Sequence, residues 1–460
     1  MHEILERALR FAGSCEQVEI YGEHAEGLSI DFERWSVKQV KRFRSRGVGI
    51  RAVVANKVGF SYTTDLSDDA LRRCVEEAVR RAKASEADSA FCGLPAVSPE
   101  RYRTAGAYDK RIVELCNSPE DALDIASELL EGVRGACEDE SGGRGGGGVS
   151  CEPTEGGFSV AYDHVFILNS EGVSAEDSGT FASAGITVVA RSKTAEGGSA
   201  EEIAGSEGEA KRRLSDLNLR WIGEEATMLA LRSLGGLKAE TKEMPVVLSP
   251  RAVQSILAYT TVRHFSAENV QRNRSPYKGR LGEEIASEML TIVDDGTAEG
   301  RLNTRKMDGE GVPSQRTVLI ERGVLKNFLY DTYTASKDGV ESTGNAVRGY
   351  DQPPSVGATN FIIERGDATR EEILRELNEG ILVSDVIGAH TADATSGAFS
   401  VVAQNAFSVK RGELKPLREV MLVGNSVEML KRVEIVAKDS RQIYNIASPT
   451  ILVTKMQVVS

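Results

Sequence analysis

Cysteine is sparse and one-sided in this chain. There are six (Cys15, Cys74, Cys92, Cys116, Cys137 and Cys151), none spaced as CxxC and none beyond Cys151. A zinc ribbon or a disulfide framework needs close pairs or a dense short domain, so reduced, structural thiols are the reading. No apolar run reaches the roughly 18 residues that cross a bilayer. The opening stretch, MHEILERALRFAG, carries charge throughout and reads as an amphipathic helix rather than a signal peptide, so a cytoplasmic protein is expected. Positive charge is also in deficit: 56 Lys and Arg stand against 69 Asp and Glu, a net charge of −13. Nucleic-acid binding draws on a basic face that neutralises phosphates, and this balance argues against it. The local cluster Lys38, Lys41, Arg42, Arg44 and Arg46 reads as the solvated face of an edge strand.

What is present is an ordinary globular composition, 40% hydrophobic and 27% charged over 460 residues, long enough for two or three domains. QVEIYGEH, LSIDFER and VGIRAVVANKVGFSYTT read as strands, with a hairpin turn at Asn56-Lys57. A helix follows, with Ser67 as N-cap and Leu71, Cys74, Val75, Ala78, Val79 and Ala82 as its buried stripe. A second begins at Ser118-Pro119 and runs to about Gly135. The glycine run SGGRGGGG (141–148) lacks the Lys-Ser/Thr and the following helix that a phosphate loop requires, so it reads as a flexible loop tip. Two long antiparallel strands turn at 169–172, and a helical stretch spans about 209–234. Gly235-Gly236 marks a division into residues 1–235, a mixed helix and antiparallel-strand region, and 236–460, a strand-rich domain. Ser249-Pro250 opens a helix, Thr369 caps another, and 321–323 and 410–413 read as hairpin turns. Without strict βαβ alternation the fold class is α+β.

Three stretches carry a family likeness. They are GVGIRAVVANKVGFSYTTDLSDDALRRCVEEAVRRAK (47–83), KGRLGEEIASEMLTIVDDG (278–296), and DTYTASKDGVESTGNA (331–346) continuing through TSGAFSVVAQNAFSVKRGELKPLREVMLVGN (395–425). In this order they resemble the TldD/PmbA family, once labelled modulators of DNA gyrase. The resemblance implies two kinds of subunit. TldD-type chains resemble zinc peptidases with HExxxH on a helix and a Cys near the C-terminus; two imidazoles share zinc while the Glu takes a proton from the attacking water.

This chain departs from that pattern. His-Glu occurs once, at His2-Glu3, where Glu6 and Arg7 occupy the positions for a second histidine. The corresponding helix, SPRAVQSILAYTTVRHFSAEN, has Tyr259-Thr260 where His-Glu is expected and retains one histidine, His264. The resemblance is therefore to the PmbA/TldE type, with no catalytic or metal-ligating residue and no cofactor expected in this chain. His264 and Glu268, four apart, are the only remnants to test. Asp294-Asp295-Gly296 reads as a turn, and His390 sits in a small-residue loop without a partner. No G-x-S-x-G elbow is present.

The resemblance implies a non-catalytic subunit of a metalloprotease that acts on unstructured peptides, with zinc in a TldD-type HExxxH partner. A homodimer is the other assembly left open. Two alternatives belong to other classes: a self-sufficient hydrolase built around His264 and His390, and a regulator of DNA gyrase.

Overall fold

The computed structural model describes residues 1–13, 15–97, 102, 108–143, 149–192 and 201–460. Its first half is organised by one antiparallel sheet of six strands in the order β3-β2-β1-β4-β5-β6. These are β1 (Gln17–Glu33), β2 (Ser36–Val54), β3 (Lys57–Thr63), β4 (Val149–Asn169), β5 (Ser174–Ser192) and β6 (Glu201–Lys211). The helices of this half are α1 (His2–Phe11), α2 (Asp68–Ala84), α3 (Lys110–Leu115), α4 (Pro119–Gly143) and α5 (Leu219–Arg232).

The four inner strands run 17 to 21 residues, long enough to serve two separate cores. At one end Val18, Ile20, Val48, Ile50 and Ala52 pack with Leu71, Cys74, Val75, Ala78 and Val79 of α2. At the other, Leu28, Ile30, Phe158, Val160, Ile186 and Val188 meet α4 and α5. Side chains alternate across a strand, so this second region presents a different set of residues on its opposite face.

Several expectations need correction. The β2–β3 turn is Ala55-Asn56, because Val54 pairs with Lys57 and both turn residues have positive φ, as a two-residue type I′ turn requires. α4 continues past Gly135 to Gly143, so the start of the glycine run closes a helix; 144–148, where the loop tip was expected, lie outside the described residues. The segment read as helix from 209 begins instead as the end of β6, and α5 starts at Leu219. α3 was not anticipated. As expected, Lys38 to Arg46 lie on an edge: β3 pairs with β2 only from Val48 onward.

In the second half, an eight-stranded and a six-stranded sheet enclose the largest core. Mixed helices and antiparallel sheets with a strand-rich C-terminal part make the fold α+β. The turns at Arg322-Gly323 and Arg411-Gly412 both have positive φ at their two residues. Thr369 closes a capping box with Glu372. The strand Lys242–Leu248 leads to α6 (Pro250–Thr260), where Ser249 Oγ accepts from the Ala252 amide.

The two halves meet through buried ions. The Arg51 guanidinium donates to Glu19 at 2.7 Å and to Glu310 at 2.9 Å, and Arg348 donates to Glu19 as well. Burial opposes charge on Glu19, yet the two cations hold its carboxyl below the usual range. The Gly-x-Gly-x-Arg pattern now has a physical reason. A Cβ on Gly47 would lie 2.2 Å from the Tyr350 ring, and one on Gly49 would lie 2.3 Å from the Tyr350 carbonyl oxygen. Both glycines let the second half close onto β2 and bring Glu310 and Arg348 to Arg51. Replacing Arg51 with Met leaves the buried Glu310 carboxylate without its cation and Glu19 with Arg348 alone, and should cost about 3–5 kcal/mol; urea unfolding of the variant measures that loss.

Candidate functional site

The site where the family resemblance places a metal is the end of α6 and the short elements after it. Thr260 is buried, and its hydroxyl donates back to the Ile256 carbonyl at 2.7 Å. Tyr259 is about half exposed, and its ring lies 6.4 Å, centroid to centroid, from that of His390. His390 sits exposed on a 3-10 turn at Ala389–Thr391.

His264 does not continue α6. It belongs to a separate 3-10 turn, Val262–Phe265, and is fully buried. Its Nε2 lies 3.1 Å from the Ala394 carbonyl, which makes that nitrogen the protonated one, and its ring packs edge-on against Tyr277. Nδ1 finds no hydrogen-bond partner. Burial pushes the His264 pKa down to about 4, so the imidazole is neutral at physiological pH. Glu268 lies on the next helix, α7 (Ala267–Gln271), and pairs with Arg272 at 2.9 Å. The shared helical face expected for His264 and Glu268 is not formed: two elements separate at Ser266, and no hydrogen bond or ion pair joins the two side chains.

Asp294 and Asp295 divide their roles. Asp295 Oδ1 accepts from the amide and hydroxyl of Thr297, as a turn residue does. Asp294 is buried in the strand Ile292–Asp295 and accepts from Asn345 at 2.6 Å and from the Thr359 hydroxyl at 2.7 Å. Burial pushes its carboxyl up to about 6. Asn345 thus ties the ESTGNA segment to the DDG strand, a structural bond.

These residues do not fit zinc. His264 spends one nitrogen on a carbonyl and buries the other, Tyr259 and Thr260 are poor ligands, and no thiol exists after Cys151. Among the described residues no group of three His, Cys, Asp or Glu side chains could hold a metal ion.

The opposite, N-terminal part of α6 faces a cleft of about 790 Å³ between the helix and the N-terminal sheet. Arg251, Gln254 and Ser255 form its wall. Arg251 is fixed by Asp385 at 2.9 Å and Glu207 at 2.8 Å, and Ser255 donates to Asp385 at 3.0 Å. Burial opposes charge on Glu207, but Arg441 and Arg251 hold its carboxyl below the usual range. The floor is a row of directly paired residues crossing five strands: Gln39, Asp31, Gly157, Gly185 and Gly208. Sequence reasoning missed this cleft. Its one local signal was glycine inside strand-like segments, which marks a close approach.

The chain belongs to the PmbA/TldD family. Models of the PmbA/TldA metallopeptidase match domain 1 at residues 18–82, the central domain at 114–234 and the C-terminal domain at 241–460. A protein of Methanocaldococcus jannaschii is 34% identical over 92% of both chains. Metalloprotease PmbA of Escherichia coli O157:H7 is 25% identical, covering 100% of this chain and 96% of its own length. The crystal structure of TldE from Thermococcus kodakarensis superposes with a TM-score of 0.87 at 24% identity, covering 100% of this chain and 99% of that one.

His264 predicts an acid weakness. Its folded pKa of about 4 lies below the ordinary histidine value of 6.5, so the folded state binds fewer protons between those values. The stability it contributes is complete above about pH 6.5 and is lost as pH falls through about 4. His264→Gln, whose amide can still donate to Ala394, should gain up to about 3 kcal/mol relative to the parent between pH 7 and 4. Chemical unfolding across that range is the measurement.

Proposed function

We propose that this chain is the non-catalytic member of a two-chain metallopeptidase, pairing with an HExxxH-bearing chain of the same family and acting on unstructured peptides. The observation that carries the reading is a chain matched by the family along nearly its whole length whose α6 region has lost the donor set for zinc. The TldE likeness and the relative named as PmbA support the same type. Zinc, the nucleophilic water and the general base would come from the partner. This chain's own residues contribute a wall: Arg251 and Asp385, locked together, and the polar strands of the N-terminal sheet.

Residues 1–235 and 236–460 are taken as the two units of the subunit. The proposed location is the cytoplasm, consistent with cysteines that form no disulfide among the described residues and with the absence, among those residues, of any helix long and apolar enough to cross a membrane. The alternative hydrolase around His264 and His390 gains no support from a buried neutral imidazole and an exposed one.

The test is to purify the chain alone and together with an HExxxH homologue from the same genome. Zinc-dependent cleavage of unfolded casein is expected only from the co-purified pair; robust zinc-dependent cleavage by the lone chain overturns the reading. Tyr259→His combined with Thr260→Glu is expected to leave the lone chain inactive, since no second usable histidine and no thiol complete the site. Peptidase assays with and without added zinc check this.

A further inference from the structure

We propose that the cleft beneath α6 is a groove for a positively charged, extended peptide segment that lies across the strands of the N-terminal sheet. The choice of a peptide rests on the function proposed above; the groove and its charge preference rest on the geometry alone.

The floor is unusually low. Along β5 the chain reads Ser183-Ala184-Gly185-Ile186-Thr187-Val188, with Ala184, Ile186 and Val188 buried in the helix-covered core. The alternate residues, Ser183, Gly185 and Thr187, line the cleft. Their partners on the flanking strands are small but for one: Gly185 pairs with Gly157 and Gly208, Ser183 with Ser159 and Ala210, and Thr187 with Ser206 on one side and Glu155 on the other. Across β4, β5 and β6 the three central positions carry no side chain at all, and around them stand Ser159, Ser183, Thr187, Ser206 and Ala210, with Glu155 at one corner. Such a surface cannot pack against α6, and the space left between them is the cleft. Bare strand backbone with flanking hydroxyls suits a ligand that brings its own main-chain donors and acceptors and approaches closely.

A second feature points to an occupant. Gln254 on α6 is only 8% exposed, yet it lines the cleft. Its Oε1 lies 3.4 Å from the Ser255 hydroxyl, whose one proton goes to Asp385 at 3.0 Å, and among the described residues no protein group accepts from its Nε2. A carboxamide held in place by burial, with its donor open to the cleft, is a fixed point for an acceptor entering there. A peptide carbonyl lying on the glycine floor supplies that acceptor.

Charge sets the class of segment. The cleft walls carry five carboxylates, Asp31, Glu155, Glu207, Glu209 and Asp385, against Lys38 and Arg251. Arg251 and Arg441 match Glu207, Glu209 and Asp385, and Lys38 pairs with Glu33, which leaves the charge of the cleft at Glu155 and at Asp31, whose nearest cation is Lys41 at 4.0 Å. Glu155 is exposed and forms no ion pair among the described residues. These two carboxylates would repel a phosphate-bearing ligand and draw in lysine or arginine side chains.

The test uses the full-length chain alone, with fluorescein-labelled decapeptides of alternating Gly-Lys, Gly-Ser and Gly-Glu followed by fluorescence anisotropy. The Gly-Lys peptide is expected to bind saturably, at least tenfold more tightly than Gly-Ser, with Gly-Glu weakest and added salt narrowing the gap. Gly185→Val, which raises the floor, is expected to weaken binding at least tenfold. A Cβ there meets nothing nearer than 3.3 Å, and circular dichroism checks the fold. Should that variant fail to fold, Gln254→Leu and Glu155→Gln carry the test, each expected to weaken binding several-fold. No saturable binding of Gly-Lys, equal affinity for Gly-Glu, or full displacement by equimolar spermine overturns the proposal. No partner and no cleavage enter this assay. A chain that binds the peptide but pairs with no homologue retires the two-chain reading alone; one that pairs but binds no peptide retires the groove alone.

Discussion

The buried ion cluster around Arg51 is the constraint on which the rest of the structure depends. A guanidinium sealed between two halves of a chain is tolerable only if its donors meet carboxylates in good geometry. Glu19 comes from β1 and Glu310 from a loop nearly three hundred residues away in sequence, so the cluster forms only when both halves are folded and docked. The glycines at 47 and 49 serve the same closure from the backbone side. A second ionic group, Glu207 with Arg251 and Arg441, ties β6 to α6 and to the strand Arg441–Ile443. Together they set the distance between sheet and helix, and hence the width of the cleft.

That arrangement separates α6 into two functional ends. Its C-terminal end, where a catalytic relative would place zinc ligands, is occupied by Tyr259 and a buried Thr260, with His264 turned away into the core. Its N-terminal end holds a rigid polar wall. The helix is firmly held all the same: Ser249 caps it, and Ala252, Val253, Ile256 and Leu257 are fully buried. The scaffold around this end of the helix is intact, as the proposed non-catalytic role requires.

Much of the fold was legible from local signals. The caps at Ser249 and Thr369 and the turns at 322–323 and 411–412 follow from residue types whose backbone preferences decide the outcome. The missing HExxxH and thiol were read directly. β6 was not legible, because EEIAGSEGEA has little intrinsic strand preference. It is a strand because β5 supplies its ladder and Arg251 and Arg441 hold its glutamates. The His264–Glu268 pairing failed for a related reason: four-residue spacing places two side chains on one face only if the helix is continuous, and here it breaks at Ser266. The glycine floor was invisible because Gly157, Gly185 and Gly208 become neighbours only through strand register.

The exposed edge of β2 has a further consequence for the protein in a crowded cell. From Ser36 to Gly47 this strand has no outer neighbour among the described residues, and its Val37, Val40 and Phe43 stand exposed. A long bare edge with apolar side chains is a template for sheet-to-sheet aggregation. The interleaved Lys38, Lys41, Arg42, Arg44 and Arg46 make a second copy of the same edge a repulsive neighbour. The basic run thus sets like charge along the one stretch of β2 that no strand covers, which disfavours edge-to-edge pairing of two copies.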